Sequence, residues 1–435
     1  MSSNLTAVKL RGWVSPDALF YASERRADVA FYLDAGAEAS AGWSYLGVGA
    51  RVALDEALDV VVRSSDGEWP AGPFRGGWIT WLGYDDAAAR AGAPAVDAER
   101  GVAISAESFL AFDLAARVVW AVAPVADAEA FAAATQQRLD AEPEVPLALA
   151  AQPHEAVARH TAAEYAADIE ACREAIRQGD AYQLCMTTRF TVAGAHDAAD
   201  VFLRLRAATP SHHAAYIRVG ETTLVSASPE QFVTIEGARI STKPIKGTRP
   251  RGETPQEDAR LAAELLASEK ERAENVMIVD LMRNDLSRIC TPGSVRVDKL
   301  WHVESYRAVH QLVSTVSGQV AAGTTVSDVL DATFPAGSMT GAPKLSAMTI
   351  LHGLERGGRG VYSGCFGWIS HDGSADLAMV IRTVIVGTTE AYVGAGGGIT
   401  WGSIAADEVA EVAIKARAPL AALGARVAAE WEPVR

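Results

Sequence analysis

In Pro244-Ile245-Lys246-Gly247-Thr248-Arg249-Pro250-Arg251-Gly252, three cations fall within six residues among two prolines and two glycines, and Lys243 stands just before them. Proline fixes φ and glycine frees it, so the stretch reads as a shaped loop and not as a helix or a mid-sheet strand. Upstream, Ala238-Arg239-Ile240-Ser241-Thr242 reads as the strand that delivers it. A cation cluster on a rigid turn suits an anionic ligand. Taken alone it is equally a solvated basic turn, and the rest of the chain has to choose.

The charge balance narrows the choice. The chain has 435 residues, 49% hydrophobic and 21% charged, with a net charge of −15. That composition supports a large core in two or three domains. An acidic surface argues against nucleic acid as a partner. A local basic stretch within it fits a small anionic substrate instead. The four cysteines form no CxxC pair, so neither a zinc site nor a disulfide framework is expected. The start Met1-Ser2-Ser3-Asn4-Leu5 lacks an apolar h-region, and no run of about 18 apolar residues occurs. The expectation is a cytoplasmic protein with no membrane partner.

Residues 1–150 read as a first region of mixed, mostly short strands. Val29–Ala35 and Trp43–Gly49 are strand-like, and Gly76–Asp85 is rich in aromatics whose rings belong in a buried sheet. A surface helix is predicted from Ala126 to about Leu139. Residues 141–158, rich in Pro, Ala and Glu, read as a linker. The region 155–430 then opens on a helix capped by Thr161 with Glu164 and stopped by Gly179. A strand is expected over 181–190, a helix over 198–208, and an antiparallel meander over 214–219, 222–226 and 231–235. Helices follow from Thr254 to about Leu286 in two pieces, then at Val326–Phe334 and Lys344–Leu354. Strands are expected at 309–320, 361–370, 377–386 and 391–394, and a final helix at 406–422. Helices and strands do not alternate regularly, which indicates an α+β fold with largely antiparallel sheets.

Three further constellations bear on chemistry. Glu271 and Glu274 share one helix face, as do Glu408 and Glu411, with Lys415 continuing the second. Like charges on one face repel unless a hard cation neutralises them, and carboxylates suit Mg²⁺; solvated helix faces are the alternative. Gly394-Ala395-Gly396-Gly397-Gly398 after a strand reads as a loop whose N–H groups can receive an anion. Ser228-Pro229-Glu230 places a carboxyl just past a strand end, where a general acid can sit. Gly337–Lys344 lacks the GK[ST] ending of a phosphate loop, and Ser363 breaks the nucleophile-elbow pattern around Cys365.

Together these stretches resemble the chorismate-utilising enzymes, which include the anthranilate, aminodeoxychorismate, isochorismate and salicylate synthases. The matching segments are Asp180–Gln183, Ser226–Phe232, Pro244–Gly252, Ala273–Asp285, Phe334–Lys344, Arg359–Gly364, Ile381–Thr383, Gly394–Gly398 and Glu408-x-x-Glu411 with Lys415. They run in order over about residues 160–420. The resemblance implies an anthranilate synthase component I-like fold, with large antiparallel sheets in a sandwich surrounded by helices. It implies that Glu274 and Glu411 hold Mg²⁺ directly, with Glu271 and Glu408 in support. Arg382, Tyr362 and the N–H groups of Gly396, Gly397 and Gly398 would receive the enolpyruvyl carboxylate of chorismate. Thr248, Ser338 and Lys415 would help place the substrate.

The basic stretch separates the branches. Anthranilate synthases usually carry Pro-Ile-Ala-Gly-Thr there, whereas Pro-Ile-Lys-Gly-Thr, as found here, resembles the aminodeoxychorismate branch. In that branch Lys246 would attack C2 of chorismate as the C4 hydroxyl departs, with Glu230 as its general acid. Neighbouring cations and burial would favour the neutral amine this needs. The nitrogen would come as ammonia from a separate glutamine amidotransferase subunit, since no amidotransferase motif surrounds any cysteine. One position departs from the wider family. The histidine found there in anthranilate synthases and linked to pyruvate elimination is Gln311 here, and His310 lies one residue off, on the opposite face of its strand.

Overall fold

The computed structural model describes residues 4–37, 39–64, 67–145, 151, 153–306 and 309–432. Residues 146–150 and 152 of the expected linker lie outside the described residues.

Two antiparallel sheets dominate, of twelve and ten strands. In the larger, the path runs Leu5–Lys9, Val118–Pro124, Phe109–Asp113, Trp43–Val48, Val29–Asp34, His213–Val219, Thr222–Ser228, Thr383–Val386, Glu390–Ile399, Gln183–Ala193 and Val157–Ala158. In the smaller it runs Ile245–Pro250, Val309–Gln319, Arg239–Thr242, Gln231–Glu236, Ala375–Met379, Cys365–Ser370, Gly77–Leu82, Gly101–Ala106 and Ala50–Val52. Both sheets cross from the first region into the second. Val29–Asp34 pairs with His213–Val219, and Gly77–Leu82 pairs with Cys365–Ser370.

The layering follows from side-chain alternation along each strand. Phe31 and Leu33 of one sheet and Ile79 and Trp81 of the other enter one shared core between the sheets. The intervening Ala30 and Tyr32 face outward onto the helices Ala162–Gln178, Ala198–Ala208 and Ala405–Ala422, through Tyr165, Phe202 and Leu420. Trp78 and Leu82 face the other way, onto the helices Glu269–Ser287 and Val326–Thr333. The result is a sandwich with helices on both outer faces, as an α+β reading requires. Among the described residues no helix is long and apolar enough to cross a membrane.

Four sequence expectations change. The segment 231–235 does not extend the meander, because Gln231–Glu236 belongs to the ten-stranded sheet while Thr222–Ser228 belongs to the twelve-stranded one. The predicted strand 377–386 is two strands, Ala375–Met379 and Thr383–Val386, again in different sheets. The chain therefore passes between sheets at Pro229-Glu230 and returns at Val380-Ile381-Arg382. Local alternation is satisfied on either side of each crossing, so only long-range pairing reveals the switch.

The glycine segment 394–398 is no loop. It lies inside the continuous strand Glu390–Ile399, with Gly396 opposite Thr187 and Gly398 opposite Cys185. Its glycines serve close approach and not turn geometry. A Cβ at Gly396 would lie 2.4 Å from the Met186 carbonyl oxygen, and one at Gly394 would lie 2.1 Å from the Tyr362 ring. Likewise, Ile245–Pro250 is a strand, paired among the described residues only with Val309–Gln319. It is irregular, with a register shift between Ile245 and Thr248 and Gly247 at φ +82°. An edge position tolerates Pro250, which cannot donate to a ladder. Lys246 sits inside the shift.

Candidate active site

The two inter-sheet crossings, the irregular strand and the two glutamate-bearing helices converge on one cavity of about 560 Å³. All fourteen residues singled out from the sequence line it: Glu230, Lys246, Thr248, Glu271, Glu274, Ser338, Tyr362, Arg382, Gly396, Gly397, Gly398, Glu408, Glu411 and Lys415. A cavity of similar volume, about 580 Å³, lies across the Phe334–Lys344 segment. Three of its cations are already spoken for: Arg90 by Asp331, Arg100 by Asp55 and Asp86, and Lys344 by Asp285. It gathers none of the fourteen.

The cations of the opening stretch part company in three dimensions. Arg251 makes a two-pronged pair with Asp258, Arg249 faces Glu264 and Glu271, and Lys243 faces Glu304. Among the described residues no hydrogen bond or ion pair holds the Lys246 ammonium. The neighbouring cations, expected to act on Lys246, instead each pair with a carboxylate of their own. The groups that face Lys246 electrostatically are instead Glu230, Glu274 and Glu411.

Glu230 occupies the first crossing and is 9% exposed. Burial pushes its carboxyl above the usual range, with the Lys246 charge and the Ser338 hydroxyl pulling partly back. It thus holds a proton more readily than an exposed glutamate, as a general acid must. Arg382 occupies the second crossing, at φ +51°, a left-handed conformation that costs a residue bearing a Cβ about 1–2 kcal/mol. Burial depresses its guanidinium, with Tyr362 and Glu411 opposing. Among the described residues nothing hydrogen-bonds it, so a strained, partly desolvated cation points into the cavity without a partner. Such a group is free to pair with an anion entering the cavity.

The glutamates come from two helices. Burial raises Glu274, with Lys246 and Lys270 opposing and Glu271 and Glu411 adding repulsion. Burial also raises Glu408, against a hydrogen bond from the Ser403 hydroxyl, and Glu411 again repels. Burial acts on Glu411 in the same sense, but Lys415 at 2.7 Å outweighs it and holds the carboxylate below its usual range. Lys415 also donates to the Gly396 carbonyl at 2.8 Å. Among the described residues no group of three carboxylates or other ligands gathers at a common cation position. An all-oxygen donor set whose members repel each other fits a hard divalent cation bound through one or two carboxylates with water completing its shell.

Two buried amides, Gln311 in the cavity wall and Gln183 beside Gly398, gained no role from the sequence. Gln183 is 1% exposed, with neither amide atom partnered among the described residues. A Cβ at Gly398 would meet its Nε2 at 2.7 Å and Lys246 Nζ at 3.4 Å, so amide and amine flank one glycine. Gln311 lines the cavity opposite Thr248, its Oε1 buried and unpartnered, whereas His310 turns away to Asp258 and Ser305. Both glutamines stand in strands that carry other buried polar residues, so only the missing partner, and not the sequence, marks them.

The family of chorismate binding enzymes matches this sequence over residues 37–421. The chain belongs to that family. Within it, an aminodeoxychorismate synthase of Streptomyces pristinaespiralis is 46% identical over 267 residues, covering 61% of this chain and 37% of that protein. An anthranilate synthase component 1 of Mycolicibacterium smegmatis is 43% identical over 274 residues, covering 62% of this chain and 52% of that protein. The matches thus span about half or less of these relatives' lengths. Anthranilate synthase component I from Streptococcus pneumoniae TIGR4 has a similar structure at 30% identity, with a TM-score of 0.73 over 96% of this chain and 92% of that one.

Proposed function

We propose that this chorismate binding enzyme is an aminodeoxychorismate synthase component I, which makes 4-amino-4-deoxychorismate from chorismate and ammonia on the way to 4-aminobenzoate and folate. The observation that carries the reading is Lys246: an amine without a partner, displaced from the strand ladder into the cavity and facing the protonation-prone Glu230.

In this reading Arg382, with Tyr362 and the open edge of the strand at Gly396–Gly398, binds the enolpyruvyl carboxylate. Among the described residues that edge has no partner strand beyond Val393. Lys246 Nζ forms a bond to ring C2, both conjugated ring double bonds shift along the ring, and the C4–O bond breaks. Glu230 delivers its proton to the departing hydroxyl, which leaves as water. Ammonia then bonds at C4, both double bonds shift back, and the C2–N bond to Lys246 breaks. Fixed donors at both ends of the substrate supply orientation and electrostatic stabilisation together. Glu274 and Glu411 would hold Mg²⁺, with Glu271 and Glu408 beside them; when bound it supplies positive charge for the ring carboxylate and the leaving hydroxyl. A separate glutamine amidotransferase subunit would release the ammonia.

Incubation with chorismate, Mg²⁺ and ammonium, followed by mass spectrometry, tests the assignment. The expected product is 4-amino-4-deoxychorismate, with a covalent adduct on Lys246 that is lost in Lys246→Ala while chorismate still binds. Anthranilate with pyruvate would overturn it in favour of the reading that the 43% identical anthranilate synthase supports.

A further inference from the structure

Behind the cavity, and lining none of it, lies a buried ion pair. Arg359 and Glu355 are each 3% exposed. Arg359 Nε donates to Glu355 Oε2 at 2.8 Å and Nη2 donates to Oε1 at 2.7 Å. The remaining donors of the guanidinium fan out to three separate segments: the Met339 carbonyl at 2.6 Å, the Ser363 hydroxyl at 3.2 Å and the Cys185 carbonyl at 2.9 Å. Glu355 Oε1 in turn accepts from the Thr187 N–H at 3.0 Å and hydroxyl at 2.8 Å. The Tyr84 ring covers the guanidinium at 4.2 Å.

Each segment so tied presents its neighbour to the cavity. Met339 follows Ser338, which lines the cavity with Glu230 and helps hold its carboxyl down. Ser363, held at φ +65°, follows Tyr362. Cys185 lines the cavity itself, and Thr187 pairs with Gly396. A buried ion pair is a poor source of stability, since desolvation cancels much of its attraction and apolar replacements of similar volume are often neutral. What an apolar pair cannot do is fix three strands and turns at once in a planar, five-donor fork.

We propose that the Arg359–Glu355 pair is the positioning element of this active site, setting Ser338 against Glu230 and Tyr362 beside Arg382. The inference rests on the cavity being the chorismate site, but not on which product forms there.

The test compares the double variant Glu355→Leu/Arg359→Met with wild type, and adds Ser338→Ala in both backgrounds. The double variant is expected to melt below wild type, since the Thr187 N–H and the Met339 and Cys185 carbonyls lose their partners, while kcat/KM for chorismate falls by about 100-fold, the scale of a one-ångström misplacement. The basic limb of its pH–rate profile is expected to move to higher pH, because Glu230 loses the Ser338 hydroxyl that stabilises its carboxylate. Ser338→Ala alone should reproduce that shift, and should add nothing in the double variant. A folded double variant with the wild-type pH profile, or a Ser338→Ala effect that adds in full, overturns the proposal. If the double variant does not fold, Arg359→Lys, which keeps the charge and loses the fork, carries the same coupling measurement. A wild-type product other than aminodeoxychorismate overturns the proposed function and leaves these comparisons readable.

Discussion

The Met379 N–H donates to the Glu230 carbonyl at 3.0 Å, and the Ala227 N–H donates to the Arg382 carbonyl at 3.2 Å. The two places where the chain changes sheets are therefore bolted to each other. The residues at those places, a proton-holding carboxyl and an unpartnered guanidinium, face one cavity as a consequence of how the sandwich is threaded.

The carboxyl is the simpler to probe. Glu230→Gln keeps the volume and removes the acid, so kcat should fall by about 10²–10⁴-fold, the usual range for a positioned proton donor. Chorismate binding measured by calorimetry should stay within a few-fold of wild type. Equal losses in binding and in kcat would show that Glu230 acts on the substrate's ground state instead.

Arg382→Gly separates strain from recognition. Glycine adopts φ +51° freely, and the change also removes a partly desolvated charge, so the melting temperature should hold or rise. Chorismate affinity should drop by about 10–100-fold, the value of a charge-assisted bidentate contact. Arg382→Ala should lose the same affinity while keeping the backbone strain, and should melt below the glycine variant.

Gly398→Ala and Gly394→Ala should differ in kind. The added methyl at Gly398 meets the far ends of Gln183 and Lys246, which can swing away, so activity should fall with little loss of stability. At Gly394 it meets the Tyr362 ring at 2.1 Å inside a packed core, which should cost about 1–3 kcal/mol in denaturant melts.

Glu274 ties stability to pH and to metal. Its folded-state pKa lies above the usual 4.5, chiefly through burial. Below that value it is protonated whether folded or unfolded and costs nothing. As pH rises from about 4.5 through the raised value, the unfolded chain ionises more readily, so the folded state of the metal-free protein loses stability. Glu274→Gln should therefore match wild type near pH 4.5 in EDTA and melt above it at pH 8. Mg²⁺ should raise the wild-type melting temperature at pH 8 and leave the variant nearly unmoved.

Gln311 offers a test of branch chemistry. Its side chain enters the cavity where anthranilate synthases carry histidine, and His310 is committed to Asp258 and Ser305. Gln311→His should release some pyruvate in a coupled lactate dehydrogenase assay. A variant that makes no more pyruvate than wild type would remove Gln311 from the account of where the reaction stops.

Most helices were legible from the sequence because their causes are local. Thr161 with Glu164 caps Ala162–Gln178, Gly179 ends it at φ +87°, and Lys344–Leu354 follows from its own spacing. The two ExxE pairs, Lys246 and Glu230 were likewise marked by residue type and order, and Arg382 by the family resemblance, since chemistry demands those side chains wherever the chain puts them. What the sequence could not show is everything that depends on distant partners. The glycine run 394–398 has the composition of a loop, yet Gln183–Ala193 pairs along it and makes it a strand. The basic stretch 244–252 likewise becomes a strand by pairing with Val309–Gln319, and the slip in that pairing is what lifts Lys246 out of the ladder. Its neighbours Lys243, Arg249 and Arg251 look equivalent in sequence, but each meets its own carboxylate, Glu304, Glu264 or Asp258, from the segments that follow. Residue chemistry is written locally; which cation stays unpaired is decided only when the irregular strand packs against the strand and helices that follow it.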